Sequence, residues 1–171
     1  MRLGAHRRNM RAVATNQQSP GMPLIYESAN FTISTPDQPH VSRGDGGHMI
    51  INPKVVVEDR THLSRELAIE LMKLSMVAGV AMKSVLTRQG IEIGRINYQD
   101  NGNWRHELHL HLYGRARGAG IQPYGQPLAL PPTAQAFKER MGNLEPLRAD
   151  DVAELKTEIA RLLASPKYRD F

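Results

Sequence analysis

The segment Arg105–Tyr113 combines histidines, a carboxylate and leucines that alternate with them. It holds three of the chain's seven histidines within six residues. If the segment is a strand, successive side chains point to opposite faces. One face then carries leucines and packs on a core, whereas the other carries Glu107, His109, His111 and Tyr113.

An imidazole titrates near neutral pH and can act as a nucleophile, an acid, a base or a metal ligand. Two imidazoles beside a carboxylate on the open face of a strand therefore indicate a reactive site. The alternative is a polar outer face on which the histidines do no chemistry.

The length and composition narrow the class of protein. A chain of 171 residues is typical of one domain with a single core. The chain has no cysteine, which excludes disulfides and thiolate chemistry and is consistent with a reducing compartment. No apolar run approaches the ~20 residues of a membrane span, so we expect a cytoplasmic protein without a membrane partner.

The positive charge is concentrated at the start of the chain. The formal net charge is +5, but residues 1–21 contain four arginines and no acid, and without them 18 basic residues face 17 acidic ones. The rest is nearly neutral, so we expect no nucleic-acid partner. We predict that residues 1–21 are a disordered basic extension, or that an upstream start codon precedes a true beginning at Met10 or Met22. An organellar transit peptide is a further alternative.

Local patterns predict the order of helices and strands. Turn residues and apolar runs indicate strands at 24–26, 31–33, 48–52 and 91–97, a loop at 36–47, a turn at 100–103 and irregular chain at 114–132. Ser64 is the predicted cap of a long helix that ends near Gly90, with its apolar stripe at Leu67, Leu71, Leu74, Ala78, Ala81 and Val85. Met72, Met76 and Met82 are interpreted as core filling beside this stripe.

A second amphipathic helix closes the chain. Asp150 or Asp151 is its predicted cap, and its stripe comprises Val152, Leu155, Ile159, Leu162 and Leu163. We therefore predict an α+β fold in which an antiparallel sheet of the five-stranded type carries one long central helix and a C-terminal helix. Residues 22–171 are expected to form a single domain, with a C-terminal extension from about residue 116.

Two motifs in this order resemble a known family. Gly47–Lys54 reads Gly-His-Met-Ile-Ile-Asn-Pro-Lys, and after the long helix a strand ending in Asn97 and a Gly/Asn turn lead to His109-Leu110-His111-Leu112. This arrangement is similar to the histidine triad family of nucleotide hydrolases and transferases. The resemblance covers about Leu24 to Arg115.

The resemblance implies a function and roles for individual residues. Family members are α+β proteins that usually form dimers, and they hydrolyse or transfer nucleoside monophosphate groups. The position of the attacking histidine, which forms a nucleotidyl-histidine intermediate at the α-phosphorus, is matched by His109. His111 matches the histidine that assists at the phosphate oxygens or the leaving group. No metal or bound cofactor is generally required, so none is expected here.

The turn before the histidine strand is a candidate phosphate site. Its backbone N–H groups could surround phosphate oxygens, and Asn97 could bind phosphate or brace the turn, although ordinary turn chemistry explains both features as well. Trp104 and Tyr113 could stack on a base, whereas Trp104 is equally explained as a packing residue. The substrate-binding residues that we predict are Asn97, Asn101, Gly102, Asn103, Trp104 and His48.

The first histidine of the family motif is missing, because Glu107 occupies its position. Either Glu107 takes its role, or a bulge lets His106 reach the site. Two further departures are Val56, where many members carry a histidine, and the stretch Ser34-Thr35-Pro36, where the family often places an acid on the ribose; Asp37 matches that acid only with a shift.

These departures leave two alternatives to a nucleotidyl enzyme. The first is a non-catalytic nucleotide-binding protein of the same fold. The second is a metal-dependent enzyme that uses Glu107, His109 and His111, although strand-borne pairs of this kind usually recruit a further histidine from elsewhere.

Overall fold

A computed structural model of the chain describes residues 22–171, so the predicted basic extension at 1–21 lies outside the described residues. The strands in chain order are β1 (Leu24–Glu27), β2 (Phe31–Ser34), β3 (His48–Pro53), β4 (Ile93–Gln99) and β5 (Leu110–Ala116). The helices are α1 (Arg65–Arg88), α2 (Ala134–Met141), α3 (Ala149–Leu163) and α4 (Pro166–Arg169). Short 3-10 helices form at Arg43–Asp45 and Arg60–His62.

The strands form one antiparallel five-stranded sheet in the order β1-β2-β3-β5-β4. This confirms the predicted α+β class. The boundaries differ from prediction in two places: β5 begins only at Leu110, after His109, and it includes Gly114–Ala116, which the glycine content had marked as irregular. Residues 114–116 belong to β5 because they pair with residues 93–96 of β4; the other end of β4 runs to Gln99 rather than Asn97.

Helix α1 covers one face of the sheet. The hydroxyl of Ser64 accepts a hydrogen bond from the Leu67 N–H, and Gly90 adopts a φ of 86° where the helix ends, as the sequence predicts. The apolar stripe is buried against the sheet from Leu71 onwards, together with Met82, whereas Leu67 at its start is partly buried. The interpretation of Met72 as core filling is wrong, because this residue is 54% exposed. Among residues 22–171, no helix is long and apolar enough to cross a membrane.

The C-terminal region completes the same core. Helix α3 packs against α1 and β1 and buries Val152, Leu155, Ile159 and Leu162. Its N-terminal cap position is Arg148 rather than either aspartate, and the Asp151 carboxylate accepts a hydrogen bond from the Arg148 N–H at 2.7 Å from within the first turn. The short helices α2 and α4 were not predicted, because each buries only one side chain and so shows no apolar period.

A close backbone contact fixes the loop 36–47 against β5. A Cβ atom on Gly46 would overlap the carbonyl of Gly114, and one on Gly114 would overlap the carbonyl of Gly46. Gly46 also has a φ of 127°, which side chains rarely allow. The loop is therefore held against β5 close to His111, and this contact places His40 over the open face of the sheet.

A second set of contacts holds the segment that follows β5. The buried Asp45 carboxylate accepts hydrogen bonds from the N–H groups of Gly120, Ile121 and Gln122 at 2.6–2.9 Å. Buried Arg115 donates to the carbonyls of Pro123 and Gln126 at 2.9 and 3.0 Å. These contacts carry the chain back to the open face, where Leu130, Pro131 and Pro132 form a wall.

Candidate functional site

Four imidazoles meet on the sheet face opposite α1. Register places His48 beside Tyr113 and Ile50 beside His111, so that β3 and β5 present their polar side chains together. The loop 36–47 adds His40, whose ring centre lies 5.2 Å from that of His111 and 4.8 Å from that of His48. The ring of His109 lies 4.6 Å from that of His111 at an interplanar angle of 79°.

His109 is held by its own backbone. Its Nδ1 lies 2.8 Å from the carbonyl oxygen of Glu107. A carbonyl can only accept, so Nδ1 donates and carries the proton of the neutral ring. The lone pair is then on Nε2, which is the form of imidazole that can attack an electrophile.

His111 is held in the complementary form. The N–H of His40 donates to Nδ1 of His48 at 3.1 Å, so that nitrogen has no proton. His48 Nε2 then carries the proton and donates to His111 Nδ1 at 2.8 Å. The proton of neutral His111 is therefore on Nε2. His109 and His111 thus offer a lone pair and an N–H donor, respectively, at neighbouring positions.

Burial keeps these imidazoles neutral near pH 7. Desolvation, with smaller effects of neighbouring charges, lowers the pKa of His40 to about 4 and that of His111 to about 2. Desolvation also places the pKa of His48 well below its ordinary value. The pKa of His109 is lowered chiefly by desolvation, against an opposing effect of the hydrogen bond to Glu107. A neutral ring is the form that both assignments above require.

A cavity of about 520 Å³ opens beside His109 and His111. Its walls combine the turn before β5, the loop with His40 and the segment after β5. The lining residues are Met22, His40, Ile50, Asn101, Asn103, Trp104, Arg105, His109, His111, Leu130, Pro131 and Pro132. Trp104 is 41% exposed at the rim, and its ring lies 5.8 Å from that of Phe137 on α2. The size of the cavity suits a small organic ligand.

The structure brings together some of the residues predicted from the sequence and separates others. His109, His111, Asn101, Asn103 and Trp104 line the cavity, and His48 supports it from below. Gly102 and Glu107 line a smaller neighbouring cavity that also touches His109.

His106 and Asn97 lie apart from the cavity. His106 is exposed beside Val56 and Val57, so the alternative in which a bulge brings it to the other imidazoles is not what the structure shows. Asn97 is on β4, where it pairs with Tyr113 of β5, and it is not among the residues that line the cavity. Neither residue is within the described cluster of rings.

The structure gives Glu107 and Tyr113 defined positions beside the histidines. Glu107 contacts the imidazole of His109 through its backbone carbonyl, and the role of its side chain in place of the missing histidine stays a prediction. Tyr113 cannot stack on a base, because it is fully buried and its hydroxyl lies 2.8 Å from His40 Nδ1. It forms the floor beneath the histidines instead.

Sequence reasoning missed His40 and Arg105 as site residues. His40 belongs to a loop whose path depends on the Gly46–Gly114 contact, so no local spacing places it. Arg105 is half-buried, and its Nη2 donates to Oδ1 of Asn52 at 2.7 Å across the sheet face. The only available signal for Arg105 was its position immediately before the histidine motif.

The metal alternative assigned Glu107, His109 and His111 as ligands, but the set with suitable spacing is His40, His48 and His111, whose ring nitrogens lie within 4.8 Å of one another. Both nitrogens of His48 are already used, because Nδ1 accepts from the His40 N–H and Nε2 faces His111. A metal on Nε2 would require a proton on Nδ1, where it would oppose that N–H. The arrangement favours a hydrogen-bonded chain over a metal centre.

Several solved structures are similar to this chain in fold. A histidine triad protein from Bradyrhizobium japonicum matches with a TM-score of 0.60 and 15% identity over 86% of this chain and 97% of that one. One from Sinorhizobium meliloti gives 0.58 and 15% over 82% and 88%, respectively. A zinc-bound histidine triad family protein from Mycobacterium smegmatis gives 0.52 and 20% over 81% and 84%. No protein-family model and no curated protein matches the sequence.

The element order, the open antiparallel sheet and the central helix are therefore shared with these proteins at low sequence identity. The fold expected from the two motifs is confirmed: this chain has the histidine triad fold.

Proposed function

We propose that this protein is a nucleotide hydrolase or nucleotidyl transferase that acts at the α-phosphate through His109. The observation that carries the proposal is the hydrogen bond from His109 Nδ1 to the Glu107 carbonyl, which leaves a lone pair on Nε2 at the cavity. In the reaction a bond forms between Nε2 and phosphorus as the bond to the leaving group breaks. Water then attacks the phosphorus and releases the nucleoside monophosphate and free imidazole.

His111 and the turn before β5 supply hydrogen-bond donors for this step. The Nε2–H of His111 donates to a phosphate oxygen or to the leaving group, since the ring beside it carries the nucleophile. Asn101 and Asn103 face the same cavity and add polar groups near the phosphate. Trp104 at the rim offers an aromatic face to a base.

Trapping of the intermediate tests this proposal. Purified protein is mixed with adenosine phosphoramidate, dinucleoside polyphosphates or nucleotide sugars and quenched in alkali, because a phosphorus–nitrogen bond to histidine is labile in acid. We expect a nucleoside monophosphate adduct on the peptide that contains His109. Turnover without an adduct would contradict covalent catalysis. Nucleotide binding without turnover would favour the non-catalytic alternative.

We also infer that the protein forms a homodimer through α1 and β4. Strand β4 is at the edge of the sheet, and an apolar groove of about 460 Å³ lies between it and α1. The exposed apolar side chains of this region are Ile69, Met72, Val80 and Tyr98. An edge strand beside an apolar groove is suited to a second copy of the same surface, related by a two-fold axis.

A single charge in the groove is expected to separate the protomers. Met72→Glu places a carboxylate on the surface that a second copy would bury, and an unpaired buried charge is unfavourable. Sedimentation velocity should show a dimer for the wild type and a monomer for Met72→Glu. Thr157→Glu on the exposed face of α3 is the matched control and should stay dimeric. A monomeric wild type at tens of micromolar would refute the dimer.

A further inference from the structure

Arg105 lines the cavity without a direct ion pair to a carboxylate of the described residues, although the nearby Glu107 charge acts on it. Its guanidinium donates a hydrogen bond to the neutral amide of Asn52 instead. Its Nε is buried without a partner. A half-buried guanidinium in this state is unfavourable on its own, which indicates that a ligand completes it.

Asn52 supports the same conclusion from β3. It is only 5% exposed, its Oδ1 is used by Arg105, and its Nδ2 is buried without a partner. The two unpartnered N–H groups thus belong to residues that one hydrogen bond joins, and Arg105 lines the cavity. All of these groups are donors, so the partner that they lack is an acceptor that carries negative charge.

The register of the sheet places Asn52 beside His109. Strands β3 and β5 are antiparallel, with Ile50 beside His111 and Ile51 beside Leu110. The next position along β3, Asn52, therefore lies beside His109. Arg105, which donates to Asn52, is thus at the His109 end of the site, away from His48 and Tyr113. His111, His109 and Arg105 line the same cavity.

The residues that line the cavity include one permanent charge. The imidazoles are neutral near pH 7, and the lining includes no aspartate or glutamate, so Arg105 is the permanent charge among the lining residues. We propose that Arg105, held by Asn52, forms a subsite for a second phosphate of the substrate, next to the phosphate that His109 attacks. The site therefore selects substrates with at least two anionic groups over those with a neutral leaving group.

This inference deepens the proposed function and rests on it for the position of the reacting phosphate. The Arg105 subsite itself can be tested by binding alone. Calorimetric titration with inorganic phosphate and with pyrophosphate compares one phosphate with two adjacent ones, and it needs neither turnover nor a choice of base. We expect the wild type to bind pyrophosphate at least tenfold more tightly than phosphate, because only pyrophosphate reaches both positions.

Two variants remove the subsite in different ways. Arg105→Gln removes the charge, whereas Asn52→Asp keeps Arg105 and neutralises it with a carboxylate of nearly identical shape. Both should abolish the preference for pyrophosphate. Arg117→Gln, which removes an exposed arginine paired with Glu92, is the control and should retain it. Circular dichroism and thermal unfolding confirm that each variant is folded.

The outcomes separate this inference from the proposed function. A wild type without a preference for pyrophosphate, or a preference that survives Arg105→Gln, overturns the subsite. If the preference depends on Arg105 and yet no adduct forms on His109, the subsite stands and the nucleotidyl chemistry fails. If the adduct forms and the preference is absent, the chemistry stands and Arg105 has no role in selection.

Discussion

His109→Ala is expected to lower kcat for release of nucleoside monophosphate by at least about 10³-fold, because the bond between imidazole and phosphorus cannot form without Nε2. His109 lies beside the core residues Leu108 and Leu110, but its ring faces the cavity, so the variant should remain folded. The measurement is steady-state turnover with the best substrate of the trapping experiment, together with the adduct assay. Nucleotide binding should persist within a few-fold, since Asn101, Asn103 and Trp104 are unchanged.

Glu107→Gln is the informative comparison for this experiment. The carbonyl that holds His109 belongs to the backbone, so the substitution leaves the 2.8 Å contact in place. It removes a negative charge that acts on both His109 and Arg105. We expect kcat to change by less than about tenfold and the acidic limb of the pH–rate profile to move to lower pH. A loss as large as that of His109→Ala would show that the carboxylate, not the carbonyl, is essential, whereas full activity of His109→Ala would refute the proposed mechanism.

The parts of the fold that follow from local pattern could be predicted. Alternation of leucine with polar residues identified β5, and a stripe with helical spacing identified α1, because burial on one face imposes a period on the sequence. The short helices α2 and α4 could not be found in this way. Each is held in place by tertiary contacts, such as Phe137 of α2 against the ring of His40 at 4.8 Å.

The candidate site also has one part that local sequence predicts and another that depends on tertiary structure. His109 and His111 are two residues apart on one strand, so their common face follows from the sequence. His40 and the Asn52–Arg105 pair come from segments far apart in the chain, and only the loop path and the strand register unite them with the nucleophile. The tautomers of the imidazoles likewise depend on backbone groups that sequence cannot position. The assignment of residues 22–171 to a single domain stays a prediction.

Acidification below about pH 6.5 is expected to destabilise the fold steeply, because three imidazoles, two buried and one half-buried, must remain neutral in it. In the unfolded chain a histidine titrates near 6.5. In the folded chain the pKa is about 4 for His40, about 2 for His111 and well below the ordinary value for His48. Between pH 6.5 and 4 the unfolded state therefore binds more protons than the folded state, and stability falls as the pH falls.

Each of these histidines contributes a slope of up to about 1.4 kcal/mol per pH unit, so the three together give up to about 4 kcal/mol per pH unit. The contribution is complete above pH 6.5 and does not change on further increase of pH. The loss by pH 5 is up to about 6 kcal/mol, which is a large part of the about 5–15 kcal/mol by which a domain of this size is stable. Urea unfolding at pH values from 7.5 to 4.5 measures the effect as a free energy at each pH.

His40→Gln identifies the source of the acid sensitivity. It removes one of the three groups, so the slope below pH 6.5 should fall by up to about 1.4 kcal/mol per pH unit, whatever the variant costs at pH 7.5. His62→Gln, which removes an exposed histidine, is the control and should run parallel to the wild type. If His40→Gln also runs parallel, protonation of the buried cluster does not limit stability and acid unfolding must arise from the carboxylates. If its slope is reduced, the neutral imidazoles that the chemistry requires are also what restricts the fold to near-neutral pH.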